Sequence, residues 1–135
     1  MEPVHVFVYG TLKRGYGNNR LLSTSSFVGE AVTCEEFKMV NHGFPYINRA
    51  NKGLTLPVIG EVWKVSDEET LQRLDWLEGV SHGHYSREVI DVQVLGGETM
   101  QVFTYLACHS LDENPDNPHI IFIDEQGNPL YRWDR

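Results

Sequence analysis

Val4-His5-Val6-Phe7-Val8-Tyr9 is a continuous apolar and β-branched run closed by Gly10. A run of that kind reads as a buried first strand, so the chain opens on a core element. Residues 10–19 then hold three glycines, Lys13, Arg14 and two asparagines, a composition that needs special backbone angles rather than a regular element. A short helical turn is expected at 18–22.

Further strands are expected at 27–33 and 37–40, with a break at His42-Gly43-Phe44-Pro45-Tyr46 and another apolar patch at Tyr46 and Ile47. Residues 56–65 read as a long strand around Gly60, and a glycine inside a strand marks a bulge or a close approach to the backbone. Residues 87–95 and 100–107 form a hairpin about Gly96-Gly97, and Ile120-Ile121-Phe122-Ile123 can add a late strand. Between the strands lies one clear helix. It opens at Ser66-Asp67-Glu68-Glu69, a capping-box pattern in which Ser66 and Glu69 satisfy each other's backbone amides, and it closes at Gly79.

At 135 residues and 41% hydrophobic content, the whole chain, 1–135, is expected to be a single domain. A chain of this size buries roughly two-thirds of its unfolded surface, so a core forms without disulfides or a structural metal. A net charge of −8 is the wrong sign for neutralising phosphates, so neither nucleic acid nor an anionic membrane is an expected partner. No apolar stretch approaches the roughly 20 residues of a membrane helix. Met1-Glu2-Pro3 carries an acid where a signal peptide carries bases, and a cytoplasmic location is expected.

Cys34 and Cys108 have no second cysteine nearby, which excludes a zinc knuckle or a Cys-x-x-Cys pair; two free, buried thiols are expected. Cys108 and His109 are neighbours on a strand and point to opposite faces, so they are poorly placed as a nucleophile and base. His82 and His84, with His42, His109 or His119, lack the helical spacing of zinc motifs, and no metal is expected. Asp112-Glu113-Asn114-Pro115-Asp116 starts like a calcium loop. Asn117 replaces the turning glycine, however, and Ile123 stands at the twelfth position, so it reads as a solvated acidic loop.

Helix geometry singles out one acid. At 100° per residue Leu71, Leu74 and Glu78 share a face, which puts a carboxylate on the apolar stripe at the end of the helix. Desolvation first, and the negative helix terminus second, disfavour its charged form and raise its pKa, as a general acid/base at neutral pH requires. Escape of Glu78 to water, or pairing with a cation such as Arg87, is the alternative.

The second place is the loop Tyr9-Gly10-Thr11-Leu12, which leaves a buried strand through glycine and can present several amides on one side as an anion-binding nest. Gly10 and Gly15 have P-loop spacing, but Tyr16-Gly17 stands where Lys and Ser/Thr are required, and Arg20 replaces the last glycine of a dinucleotide fingerprint. Nucleotide binding is therefore rejected.

Val8-Tyr9-Gly10-Thr11-Leu12-Lys13-Arg14-Gly15, then Gly60-Glu61-Val62, then Leu74-Asp75-Trp76-Leu77-Glu78-Gly79 followed by Tyr85-Ser86-Arg87, resemble the gamma-glutamylcyclotransferase-like family over about residues 4–105. The Tyr-Gly-Thr-Leu loop is most similar to the gamma-glutamylaminecyclotransferase branch. The resemblance implies an α+β fold: a small, mixed, mostly antiparallel β-barrel with one or two short helices and the site in a cleft beside it. It implies that Glu78 is the acid/base, that Tyr9, Gly10, Thr11 and Leu12 bind the γ-glutamyl moiety, and that no cofactor takes part. Tyr85 and Arg87 are expected to line or orient the pocket. The reaction so implied converts a small γ-glutamyl amine into 5-oxoproline and a free amine; the rival reading is a binding module that uses the same cleft without turnover. Residues 80–84 look about one residue longer than in close relatives, and residues 108–135 match nothing in the resemblance.

Overall fold

The computed structural model describes residues 1–41, 44–49, 53–108 and 120–134. Five strands close into a barrel in the order β1 (Val4–Val8), β5 (Ile59–Val65), β2 (Ser26–Thr33), β6 (Tyr85–Val94) and β7 (Thr99–Ala107). Every seam is antiparallel except the one that closes it, where β1 runs parallel to β7 with Val6 opposite Phe103. Two hairpins stand outside the barrel, β3 (Lys38–Asn41) with β4 (Pro45–Asn48), and β8 (Ile121–Ile123) with β9 (Pro129–Tyr131). This is the mostly antiparallel barrel that the resemblance implied.

The unbroken apolar run of β1 has a physical reason. Alternate residues of a strand face opposite ways, and here both faces are covered. Phe7 and the following Tyr9 enter the barrel core with Ala31, Val62, Val92 and Leu106, while Val6 and Val8 enter a second cluster with Leu22, Val65, Leu74 and Tyr105. That second cluster lies under the helix α1 (Glu68–Leu77), anchored by the fully buried Leu74. Burying a leucine is worth about 1.5–3 kcal/mol.

The helix begins one residue later than the capping-box pattern predicted. Asp67, not Ser66, is the cap: its carboxylate accepts from the Thr70 amide at 2.9 Å and the Thr70 hydroxyl at 2.6 Å, while Thr24 donates to it at 3.0 Å. A carboxylate beside the positive helix end is the stronger acceptor. Glu69, freed from that role, pairs with Arg73 one turn on at 2.6 Å.

The long strand expected at 56–65 starts only at Ile59. Pro57 has no N–H to give to a ladder, and the residues around it make only isolated bridges, Phe37 to Leu56 and Val58 to Tyr131. The close approach expected at Gly60 is made by the chain itself: a Cβ there would lie 2.3 Å from the Val8 carbonyl oxygen and 2.7 Å from the Phe7 ring. Gly17–Leu22 forms the short helical turn, and β9 is an element the sequence reading did not foresee.

Both cysteines are free, as expected, but exposed rather than buried, because each lies just past the end of a barrel strand. The expectations that involve His42, Gly43, His109, the acidic segment 112–116 and His119 lie outside the described residues. Among the described residues no helix is long and apolar enough to cross a membrane.

Candidate active site

Glu78 caps the C-terminus of α1, and the chain turns away at Gly79, whose φ of 65° is left-handed. A Cβ at position 79 would also lie 2.8 Å from the His84 ring, so glycine serves both the turn and the packing that follows it. The turn leaves Glu78 on the same side as Leu71 and Leu74, facing the sheet. Burial there pushes its carboxyl up to about 7. The direction is the one expected from the apolar stripe, with desolvation as its cause.

Tyrosines surround this carboxyl. Tyr9, from the end of β1, is fully buried in its environment; burial, then the neighbouring Tyr85 and Glu78, hold its phenol well above the usual range. Tyr85 of β6 and Tyr105 of β7 are raised too, by burial first, and each also feels Glu78. Tyr46 of β4 stacks on Tyr85 with ring centroids 5.8 Å apart and planes 12° from parallel. Tyr9 Oη donates to the Tyr105 carbonyl oxygen at 2.7 Å and accepts from the Ile47 amide. The loop after β1 is thereby tied to both β7 and β4.

Arg87 does not pair with Glu78. Its Nη1 donates to both oxygens of Asp75, at 2.9 and 3.1 Å, and Tyr105 Oη donates to the same carboxylate at 2.7 Å. The alternative in which Arg87 neutralises Glu78 is overturned, since Asp75, one helical turn earlier, takes the cation.

The loop Tyr9-Gly10-Thr11-Leu12 is held from behind. Lys13 N–H donates to the Gly10 carbonyl at 3.0 Å, Asn18 Nδ2 to Thr11 Oγ1 at 2.8 Å and Asn19 Nδ2 to the Leu12 carbonyl at 2.8 Å. Gly10 sits so close to β4 that a Cβ would come within 2.7 Å of Pro45 Cγ. The turn through Gly10, Thr11 and Leu12 carries consecutive backbone amides, the kind of donor set that suits an anionic group.

A cavity of about 540 Å³ lies farther along this loop, lined by Lys13, Arg14, Tyr16, Gly60, Glu61 and Asp134 among others, and not by Glu78, Tyr85 or Arg87. Most of its charges pair with one another, Arg14 with Glu61 at 3.2 Å, and Asp134 with Lys13 at 3.6 Å and with Arg132 at 2.7 Å. Glu61, from the Gly60-Glu61-Val62 motif, also accepts from the Arg14 amide and the Trp63 indole, and so fastens the loop to β5.

A carboxyl poised near neutrality among tyrosines, one of which, Tyr9, leads into the Gly10-Thr11-Leu12 loop, is equipped to move protons on a small substrate. The family model for gamma-glutamyl cyclotransferase, AIG2-like, matches residues 6–127. The chain belongs to this family. The chain is 35% identical over 143 residues to the gamma-glutamylaminecyclotransferase of Mus musculus, covering 91% of each chain. It is 33% identical over 105 residues to gamma-glutamylaminecyclotransferase C of Danio rerio, covering 72% of this chain and 67% of the other. The crystal structure of an AIG2-like protein from Mus musculus superposes with a TM-score of 0.71 at 28% identity, covering 100% of this chain and 98% of that one. The match therefore runs past residue 105, where the sequence resemblance ended, into the segment that had matched nothing.

The fold thus brings Glu78, Tyr9 and Tyr85 together, with the loop Gly10, Thr11 and Leu12 following Tyr9, and sets Arg87 on Asp75. Sequence reasoning missed Asp75, Tyr105 and Tyr46. Asp75 had a usable signal, an acid three residues before Glu78 on the same helix face. The two tyrosines had none, since only strand pairing and stacking bring them in. Among the described residues no three His, Cys, Asp or Glu side chains are grouped to hold a metal ion. His82 and His84 have ring centroids 6.2 Å apart.

Proposed function

We propose that this cyclotransferase converts a γ-glutamyl amine into 5-oxoproline and the free amine, with Glu78 as general acid and base. The observation that carries the reading is the Glu78 carboxyl, buried on the apolar face and poised at about 7. The amine substrate is supported by the names of the mouse and zebrafish relatives and by the Tyr-Gly-Thr-Leu loop.

Ionised Glu78 takes a proton from the substrate α-ammonium, whose ordinary pKa is about 7.7–8.0. The freed amine attacks the γ-carbonyl carbon of the same molecule, forming the ring C–N bond. As the tetrahedral species collapses, protonated Glu78 gives its proton to the departing nitrogen and the bond to that nitrogen breaks. The ring nitrogen loses its second proton to the Glu78 carboxylate so regenerated and from there to water, so 5-oxoproline and a neutral amine leave rather than an amide anion. No enzyme nucleophile takes part. Holding attacker and target as five-ring neighbours supplies an effective molarity on the order of 10⁵ M or more. Amides of the Tyr9, Gly10, Thr11 and Leu12 loop hold the α-carboxylate or the developing oxyanion, where one good donor is worth about 10²–10³ in rate. Tyr85 walls the pocket on the side of Tyr46.

Release of 5-oxoproline from γ-glutamyl amines, γ-glutamyl dipeptides and glutathione, followed by mass spectrometry alongside Glu78→Gln, tests the reading. The expected result is product from the amines and none from the variant. Undiminished product from Glu78→Gln removes Glu78 from the mechanism, and binding without product from any substrate favours the binding module.

A further inference from the structure

We infer that Asp75 is a positioning residue: it holds and neutralises the Arg87 guanidinium and so keeps Glu78 without a cationic partner. The inference rests on the reading of Glu78 as the acid/base and concerns how its state is maintained. Asp75 and Glu78 lie three residues apart on α1, neighbours on one helix face. Across from them, β6 and β7 pair Tyr85 with Ala107 and Arg87 with Tyr105, and residues two apart in a strand share a face, so Tyr85, Arg87 and Tyr105 all look toward the helix. Arg87 thus emerges on the side that faces the helix and is bound there by Asp75.

The hold on Arg87 is specific. One guanidinium nitrogen bonds both Asp75 oxygens, Tyr105 Oη bonds the same carboxylate, and the guanidinium lies over the Phe103 ring at 5.3 Å. The pair is largely shielded, each side chain being 29% exposed. The other groups that face or adjoin Glu78 are the phenols of Tyr9, Tyr85 and Tyr105, with Tyr46 behind Tyr85 and the His84 ring against Gly79. Among the described residues named here, Arg87 is the one permanent cation. A guanidinium within about 4–6 Å lowers a carboxyl pKa by about 1–3 units. Such a drop would return Glu78 to the ordinary carboxylate range and leave it a weak base.

The test is a carboxyl titration of Glu78 by ¹³C NMR of glutamate-labelled protein, with the signal assigned by its loss in Glu78→Gln, beside the pH profile of kcat/KM. The wild-type midpoint is expected at about 7. In Asp75→Asn it falls by about 1 pH unit or more, and the acid limb of the profile moves with it. Adding Arg87→Gln to Asp75→Asn restores the midpoint, and Asp75→Glu, which keeps a carboxylate for Arg87, holds it near the wild-type value. A midpoint unmoved in Asp75→Asn, or one that falls and is not restored by Arg87→Gln, overturns the inference. Should Asp75→Asn not fold, Arg87→Gln alone decides: an unchanged midpoint agrees with a cation already neutralised, and a risen one overturns it. Activity surviving in Glu78→Gln would sink the catalytic reading while the titration still reports on Asp75.

Discussion

Tyr9 Oη donates to the carbonyl oxygen of Tyr105 at 2.7 Å, across 96 residues of sequence, and joins the loop after the first strand to the last strand of the barrel. Both partners are buried. The bond sets where the amides of Gly10, Thr11 and Leu12 stand relative to Glu78.

Tyr9→Phe removes this donor and leaves the Tyr105 carbonyl buried without it. The expected cost is about 1–3 kcal/mol in urea unfolding, with substrate affinity weakened because the loop is released. Unchanged stability would show that the bond is replaced by water.

Glu78→Gln is expected to lose turnover and to gain stability relative to the wild type as pH rises. The folded protein holds the Glu78 proton up to about 7, whereas the unfolded chain releases it near 4.5. Between those values the native state binds more protons, so wild-type stability falls with rising pH, by at most about 3 kcal/mol, and the glutamine variant is spared this loss. Denaturant midpoints at pH 4.5 and pH 8 check it, and equal differences at both would contradict a raised carboxyl.

The kcat/KM of the wild type is expected to be bell-shaped. Its acid limb lies near 7, where Glu78 ionises, and its alkaline limb follows the substrate α-ammonium at about 7.7–8.0. A profile flat from pH 5 to 7 would exclude Glu78 as the group that accepts the proton.

Gly60→Ala is expected to be severely destabilised, by more than about 3 kcal/mol, since its Cβ would sit 2.3 Å from the backbone oxygen of Val8 and neither strand of the β1–β5 pair can yield. Thermal melting and soluble yield measure it; a variant that melts with the wild type would show that the strands separate cheaply.

The local pattern of the chain was enough for most of the elements and for placing Glu78 on the apolar stripe. Strand and helix periodicity depend on neighbours a few residues apart, so the β1 run, the hairpin about Gly96-Gly97 and the apolar stripe through Leu71, Leu74 and Glu78 are all written locally. So is the left-handed turn at Gly79, because only glycine takes that conformation without strain. The exact cap at Asp67 escaped, since the choice over Ser66 is reinforced by Thr24, which arrives from another element.

What folding alone decided is the company Glu78 keeps. Tyr105 reaches it through strand pairing, and Tyr46 backs the expected Tyr85 through ring stacking, between segments far apart in sequence. Pairing of Arg87 with Asp75 rather than with Glu78 was a choice between two acids on one helix face, and periodicity puts both within reach. The register of β6 against β7 and the Tyr105 hydroxyl on Asp75 decided it. The state of a titratable group depends on desolvation and on charges within a few ångströms in space, and such distances exist only once the barrel has closed.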